Sequence, residues 1–276
     1  MCVMGKFNDK RVLITGGASG IGRLMGAMAL EKGAAALIIW DINQANIDST
    51  VAQYAQKGNV FGYRVDVSDD KAVAEAYSRV KSEVGDVDIL INCAGIITGN
   101  KTFDRCTTDE IHRTMAINAV APMVVALQVL PDMVARNSGH ICNIASAGGM
   151  ISNPKMSIYA ASKWAAIGWS DSVRIELEQM KSKVKITTIA PYYITTGMFD
   201  GVKSRVLPLL KPEYAARQII RAIEKDKRMK MLMRWIPVPH HFVRLMQGLL
   251  PTRFFDWLFG QVFGIYHTMD NFTGRR

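Results

Sequence analysis

The chain has 276 residues, the length of one α/β domain with an appended segment, and enough to bury a large core. Its 49% hydrophobic and 21% charged residues exclude a disordered chain. A net charge of +10 attracts polyanions, but the cations are spread along the chain, with denser runs at 181–185 and 225–234; with no zinc-finger spacing or RNP-like run, nucleic acid is not an expected partner.

Residues 1–10 are mostly polar and carry no export signal or apolar anchor, and the four cysteines (Cys2, Cys93, Cys106 and Cys142) contain no CxxC pair, so reduced thiols in a cytoplasmic setting are expected. The first predicted strand, Arg11–Thr15, runs into Thr15-Gly16-Gly17-Ala18-Ser19-Gly20-Ile21-Gly22, and a helix follows over 24–32. Glycines between a first strand and a first helix allow backbone N–H groups to approach a pyrophosphate. A second strand over 36–40 ends at Asp41, whose carboxylate can accept from ribose hydroxyls and repel a 2′-phosphate. No Lys or Arg stands at 17–19 or 42–43, which favours NAD over NADP; the alternative is that Asp41 only opens the turn after its strand.

Further strands are expected at 60–65, Ile89–Asn92, His140–Ile144 and 185–189, with helices over 71–84, 110–135 and 159–180 between them. This alternation predicts an α/β fold, a doubly wound parallel sheet of the Rossmann type, with ligands at the carboxyl ends of the strands. Ser146 follows the fifth strand at such an end. Tyr159 and Lys163 stand four residues apart, on one face of a helix, where a cation beside the phenol favours its ionised form. The Ser146 hydroxyl can hold a substrate oxygen.

These motifs, in this order, resemble those of the short-chain dehydrogenases/reductases along nearly the whole chain. Thr15 to Gly22 resembles the family's TGxxxGxG, placing Gly16, Ser19, Gly20, Ile21 and Gly22 on the cofactor phosphates. Asp66-Val67 resembles the pair beside the adenine, and Asn92-Cys93-Ala94-Gly95 the NNAG motif, with Cys93 replacing its second Asn and Asn92, Ala94 and Gly95 retained. Asn118 matches the helix asparagine that holds a relay water. Ser146, Tyr159 and Lys163 match the remaining catalytic positions, with Tyr159 as general acid/base and Lys163 also holding the nicotinamide ribose. Pro191, Thr195, Thr196 and Met198 match the segment that closes over the nicotinamide. The resemblance implies hydride transfer between NAD(P) and an alcohol or carbonyl, in a homodimer or homotetramer.

The stretches Leu37-Ile38-Ile39-Trp40-Asp41-Ile42-Asn43 and Thr196-Gly197-Met198-Phe199-Asp200-Gly201 are similar to the branch of retinol dehydrogenases and membrane-associated 17β-hydroxysteroid dehydrogenases, as is the ending from Met269 to Arg275. This implies a lipophilic substrate: a steroid, a retinoid or a long-chain keto-lipid. A reductase of small or acyl-carrier ketones is the alternative, as is a catalytically silent dinucleotide-binding sensor.

Residues 1–276 are expected to form one domain, with 6–190 as cofactor-binding and catalytic core and 191–276 as substrate-binding segment. Past Pro191 a helix is predicted over 211–225. Met229, Met231 and Met233 alternate as in a seventh strand with one buried face, and a basic run leads to an aromatic stretch from Phe254 to Tyr266. That stretch is too short to span a bilayer. With the basic run, 225–266 either lies in a membrane interface or walls a substrate pocket or subunit contact. His240-His241 reads as a surface pair, and no metal site is expected.

Overall fold

A computed structural model describes residues 5–98, 101–205, 207–233 and 240–274. Its strands are β1 (Arg11–Thr15), β2 (Ala36–Asp41), β3 (Asn59–Arg64), β4 (Ile89–Asn92), β5 (His140–Ile144), β6 (Lys185–Pro191) and β7 (Met229–Leu232). They form a single parallel sheet in the order β3-β2-β1-β4-β5-β6-β7. The order reverses between β1 and β4, leaving a crevice at their carboxyl ends, where ligands of doubly wound sheets bind.

Apolar runs rather than alternation mark β1, β2 and β4 because both faces of the sheet are covered there, whereas the edge strand β3 is largely exposed. Val12 and Ile14 of β1, Leu37 and Ile39 of β2, and Ile89 and Ile91 of β4 share one core, which includes residues of α1 (Gly20–Glu31), α2 (Gln44–Tyr54) and α7 (Pro212–Glu224). Leu13, Ile38, Trp40 and Leu90 point the other way, into a core with α3 (Asp70–Glu83), α5 (Ala121–Ala135) and α6 (Ser157–Gln179).

The helix predicted over 110–135 is α4 (Thr108–Met115), a π-helical turn at Ala116–Val120, and α5. Thr107 and Glu110 form a capping box at its start. By length and composition Thr108–Ala135 could cross a membrane. Here Val125, Val129 and Met133 are buried in the second core, while Val120 and Leu127 stay exposed.

The seventh strand forms as expected, but its methionines differ in role. Met229 is buried, whereas Met231 is part-buried and lines a cavity with Met233 just beyond the strand. After it come α8 (His240–Leu249), α9 (Thr252–Asp256) and a second π-helical turn, Trp257–Val262. Val243 of α8 and Phe255 of α9 enter a third core with Ala145, Ile167 and Ala190, so the tail is packed over the carboxyl ends of β5 and β6. The basic run expected at 225–244 falls partly outside the described residues.

Candidate active site

Thr15 is the hinge of the crevice. Its Oγ1 accepts from the backbone N–H groups of Cys93 (3.0 Å) and Ala94 (3.1 Å), joining the ends of β1 and β4. The next residue, Gly16, has φ +66°, and a Cβ there would meet Ala94 Cα at 3.0 Å; one on Gly22 would fall 2.1 Å from the Gly16 carbonyl oxygen. Only glycines allow this close turn. Ser19 caps α1 without a side-chain cap bond, and the first turn of α1 carries no acidic residue, so hydroxyl and helix end fit a phosphate. The turn fits the pyrophosphate of a dinucleotide.

Asp41 ends β2 beside this turn. Its Oδ2 accepts from Ala18 N–H at 3.1 Å and its Oδ1 from Asn43 N–H at 3.1 Å, so the carboxylate is fixed against the glycine turn. Val65 N–H donates to the Asp41 carbonyl, which starts Asp66 and Val67 next to it. Val67 is buried. Asp66 is exposed, and its Oδ1 accepts from the N–H and hydroxyl of Ser68.

Asn92 is buried with its Nδ2 donating to Asn143 Oδ1 (2.9 Å) and the Pro122 carbonyl (3.3 Å). Its side chain therefore joins β4 to β5 and α5. Gly95 lies over the catalytic floor, since a Cβ there would approach Asn118 Oδ1 at 3.3 Å and Lys163 Nζ at 3.7 Å.

Asn118 sits in the first π-helical turn, the kind of local insertion that re-aims a side chain. Its Nδ2 donates to the Ile96 carbonyl (2.8 Å) and Ser162 Oγ (3.1 Å), and its Oδ1 accepts from Ile96 N–H (2.9 Å). Both amide hydrogens are committed to holding the loop after β4 against α6.

Ser146 follows β5, and its Oγ accepts from Gly148 N–H at 3.1 Å. Tyr159 and Lys163 lie in the first turns of α6, both buried. Lys163 Nζ donates to the Ile144 carbonyl at 3.0 Å and stands 5.7 Å from the Tyr159 ring centroid. Burial pushes the Tyr159 phenol up to about 12, against the lowering effect of a hydrogen bond with Ser146. Burial likewise brings Lys163 down to about 8, opposed by Cys93. The expectation that Lys163 lowers the tyrosine is thus outweighed by desolvation, the largest influence on this buried phenol.

These groups open onto a cavity of about 390 Å³ whose lining runs from Ile21 and Cys93 at the glycine turn, past Ser146, Tyr159 and Lys163, to Phe259 and Phe263 in the tail. Pro191, Thr196 and Met198 line it too, and Thr196 lies over Gly20. Thr195 is exposed, its N–H and hydroxyl turned to the Leu210 carbonyl. Met231, Met233, Met246 and Leu258 make the remaining wall strongly apolar. Of the membrane interface, pocket wall and subunit contact expected as alternatives for the tail, its inner face forms a pocket wall. Asn153, Tyr193 and Phe199 also line the cavity, although no sequence motif marks them as site residues. Tyr193 and Phe199 stand among the motif residues between Pro191 and Gly201, whereas nothing local to Asn153 points to the cavity. Among the described residues no cluster of His, Cys, Asp or Glu could hold a metal.

A dinucleotide turn at the switch point, with a Ser, Tyr and Lys at the head of an apolar cavity, defines a nicotinamide-dependent oxidoreductase acting on CH–OH groups. The chain belongs to the short-chain dehydrogenase family, whose model matches residues 10–206. It is similar to epidermal retinol dehydrogenase 2 of Mus musculus, 37% identical over 271 residues, which cover 96% of this chain and 85% of that protein. It is also similar to retinol dehydrogenase 10-B of Danio rerio, 35% identical over 266 residues, which cover 87% of this chain and 77% of that one. The solved structure of gox2181 shares the fold at 24% identity, with a TM-score of 0.72 over 79% of this chain and 90% of its own. The protein therefore interconverts an alcohol and an aldehyde or ketone with NAD(P).

Proposed function

We propose that the substrate is a long lipophilic alcohol or its carbonyl partner, of the retinoid kind named for the relatives, and that Tyr159 is its general acid/base. The observation carrying this reading is the continuity of one apolar cavity from Tyr159 and Ser146 to the aromatic tail. A polar substrate would lose its hydration there without recovering it, while a hydrocarbon chain gains about 25 cal/mol per Å² buried.

The bound nicotinamide ring supplies or accepts the hydride at the substrate carbon. Gly16, Ser19, Gly20, Ile21 and Gly22 would hold the pyrophosphate, Asp41, Asp66 and Val67 the adenosine end, and Ala94, Gly95, Thr196 and Met198 the nicotinamide end, with Pro191 and Thr195 shaping its cover and Asn92 fixing the strand beneath. Ser146 donates a hydrogen bond to the substrate oxygen, its acceptor side already held by Gly148 N–H. Tyr159, protonated at neutral pH, gives its proton to that oxygen in reduction and recovers it in oxidation. Lys163 binds the ribose and keeps a positive charge below the reacting groups. With its amide committed, Asn118 would hold a relay water through its backbone carbonyl.

We favour NAD because the Asp41 carboxylate is fixed beside the turn with no cation at 17–19 or 42–43. The outer face of the tail exposes Leu245, Leu249, Phe254, Trp257 and Val262 alongside Arg244 and Arg253, a composition that suits an anionic membrane interface. Exposed Leu127 on α5, with Trp164 and Ile175 on α6, supports self-association through that side.

The test is turnover of retinol and a panel of steroid and keto-lipid substrates with both nicotinamide dinucleotides, by the wild type and Tyr159→Phe. The expected result is turnover lost by at least about a hundredfold with cofactor binding retained. Full activity of the variant would refute the assignment of Tyr159.

A further inference from the structure

In the apolar wall of the cavity, three buried polar side chains from distant parts of the chain meet. Asn153 lies in the segment after β5 that also carries Ser146, Tyr193 follows β6, and Thr268 lies near the end of the tail. Asn153 Nδ2 donates to Tyr193 Oη at 2.8 Å and to Thr268 Oγ1 at 2.9 Å. Thr268 Oγ1 gives its own proton to the Ile265 carbonyl at 2.8 Å, so it faces the other two only as an acceptor. Tyr193 Oη, 3.0 Å from Thr268 Oγ1, is then the donor of that pair, with Met156 Sδ a weaker alternative at 3.3 Å.

This small network touches the cavity on two sides. Ile265, which accepts from Thr268, lines the cavity, and the tail residues Phe259 and Phe263 precede it. On the other side, the Tyr193 ring meets Phe199 edge to face at 5.1 Å, and Phe199 meets Tyr159 in the same way at 6.0 Å. Contacts therefore run without a gap from Thr268 to the Tyr159 ring.

We propose that Thr268, Asn153 and Tyr193 form a clasp of positioning residues that fixes the tail as the cavity's far wall. The clasp selects for long lipophilic alcohols by keeping that wall in place; this part rests on the oxidoreductase reading above. A substrate filling only the head of the cavity has little need of the wall, whereas one that reaches the tail loses its packing when the wall loosens.

Thr268→Val removes the hydroxyl while keeping the volume, and Thr268→Ser keeps the hydroxyl. Amide hydrogen exchange is compared across wild type and both variants, with kinetics on retinol and on cyclohexanol. In Thr268→Val, exchange should rise in 192–199 and 257–269 and stay unchanged in 11–22, KM for retinol should rise about tenfold, and kcat for cyclohexanol should stay within about twofold. Thr268→Ser should match the wild type in all of these. Should Thr268→Val fail to fold, Tyr193→Phe, which loses one hydroxyl and keeps its ring, should raise exchange in 257–269. Unchanged exchange in a folded variant, or a Thr268→Ser as loose as Thr268→Val, would overturn the clasp; equal losses on both alcohols would overturn its role in selection. A wild type that oxidises neither alcohol would sink the functional reading instead, and the exchange comparison would still decide the clasp.

Discussion

Lys163 Nζ donates to the Ile144 carbonyl at 3.0 Å, so the ammonium of α6 is anchored to the last residue of β5, directly before the strand end that carries Ser146. Helix and strand thereby set the two halves of the catalytic group against each other. Burial brings this ammonium down to about 8, while the Tyr159 phenol is pushed up to about 12. Below about pH 8 both groups hold their protons. As pH rises through that value Lys163 loses its charge first, so kcat/KM for ketone reduction should be flat from pH 6 to 7 and fall above about 8. Lys163→Arg, which stays charged, should be slower at pH 7 and should not show that fall. A profile for the wild type that stays level to pH 10 would separate Lys163 from the chemistry.

Asp41 has two functions that mutation can separate. Its Oδ2 holds Ala18 N–H, and its charge faces the space proposed for the ribose. Asp41→Asn keeps an acceptor for Ala18 and loses the charge, so it should raise NADPH use relative to NADH by about tenfold with little change in Tm. Asp41→Ala should show the same shift and also lose about 1 kcal/mol of stability with the hydrogen bond. Kinetics with both cofactors and thermal melts check this, and a wild type that already prefers NADPH would reverse the assignment.

His140, buried in β5, has Nε2 2.8 Å from Thr187 Oγ1, and burial, then Lys6, hold it down to about 3 despite Asp226. The unfolded imidazole titrates near 6.5, so between that pH and about 3 the unfolded chain binds a proton that the folded one refuses. The contribution of this group is complete above about 6.5 and should decline as pH falls, by about 2 kcal/mol at pH 5. His140→Asn should flatten that decline in denaturant melts at pH 7 and pH 5, and a variant as acid-sensitive as the wild type would assign it to other groups.

Phe254 and Trp257 pack against each other at 5.7 Å on the outer side of the tail, and Trp257 is 52% exposed. If this face lies on a membrane, the protein should sediment with vesicles containing anionic lipid at low salt, less so at high salt, and Trp257→Glu should largely abolish the effect. Wild-type protein that remains in the supernatant at low salt would reject membrane contact.

The order of strands and helices, the glycine turn and the Ser146, Tyr159 and Lys163 trio were legible in the sequence because each depends on local spacing. A run of apolar residues makes a buried strand, a residue four positions on shares a helix face, and a glycine trio between strand and helix makes a phosphate turn. Even the seventh strand was visible in the alternation of Met229, Met231 and Met233, though not that two of the three face a cavity.

Tertiary structure alone decided the rest. The pKa of Tyr159 moved opposite to the direction its neighbour Lys163 suggested, since desolvation depends on everything packed around a group and has no sequence spacing. The Asn118 amide and the Asn92 side chain became fasteners because their partners, Ile96, Ser162, Asn143 and Pro122, arrive from other elements. The tail acquired two faces, one lining the cavity and one exposed, only when α8 and α9 folded over the sheet end. Asn153 and Thr268 lie 115 residues apart, a distance at which sequence says nothing and a hydrogen bond of 2.9 Å says a good deal.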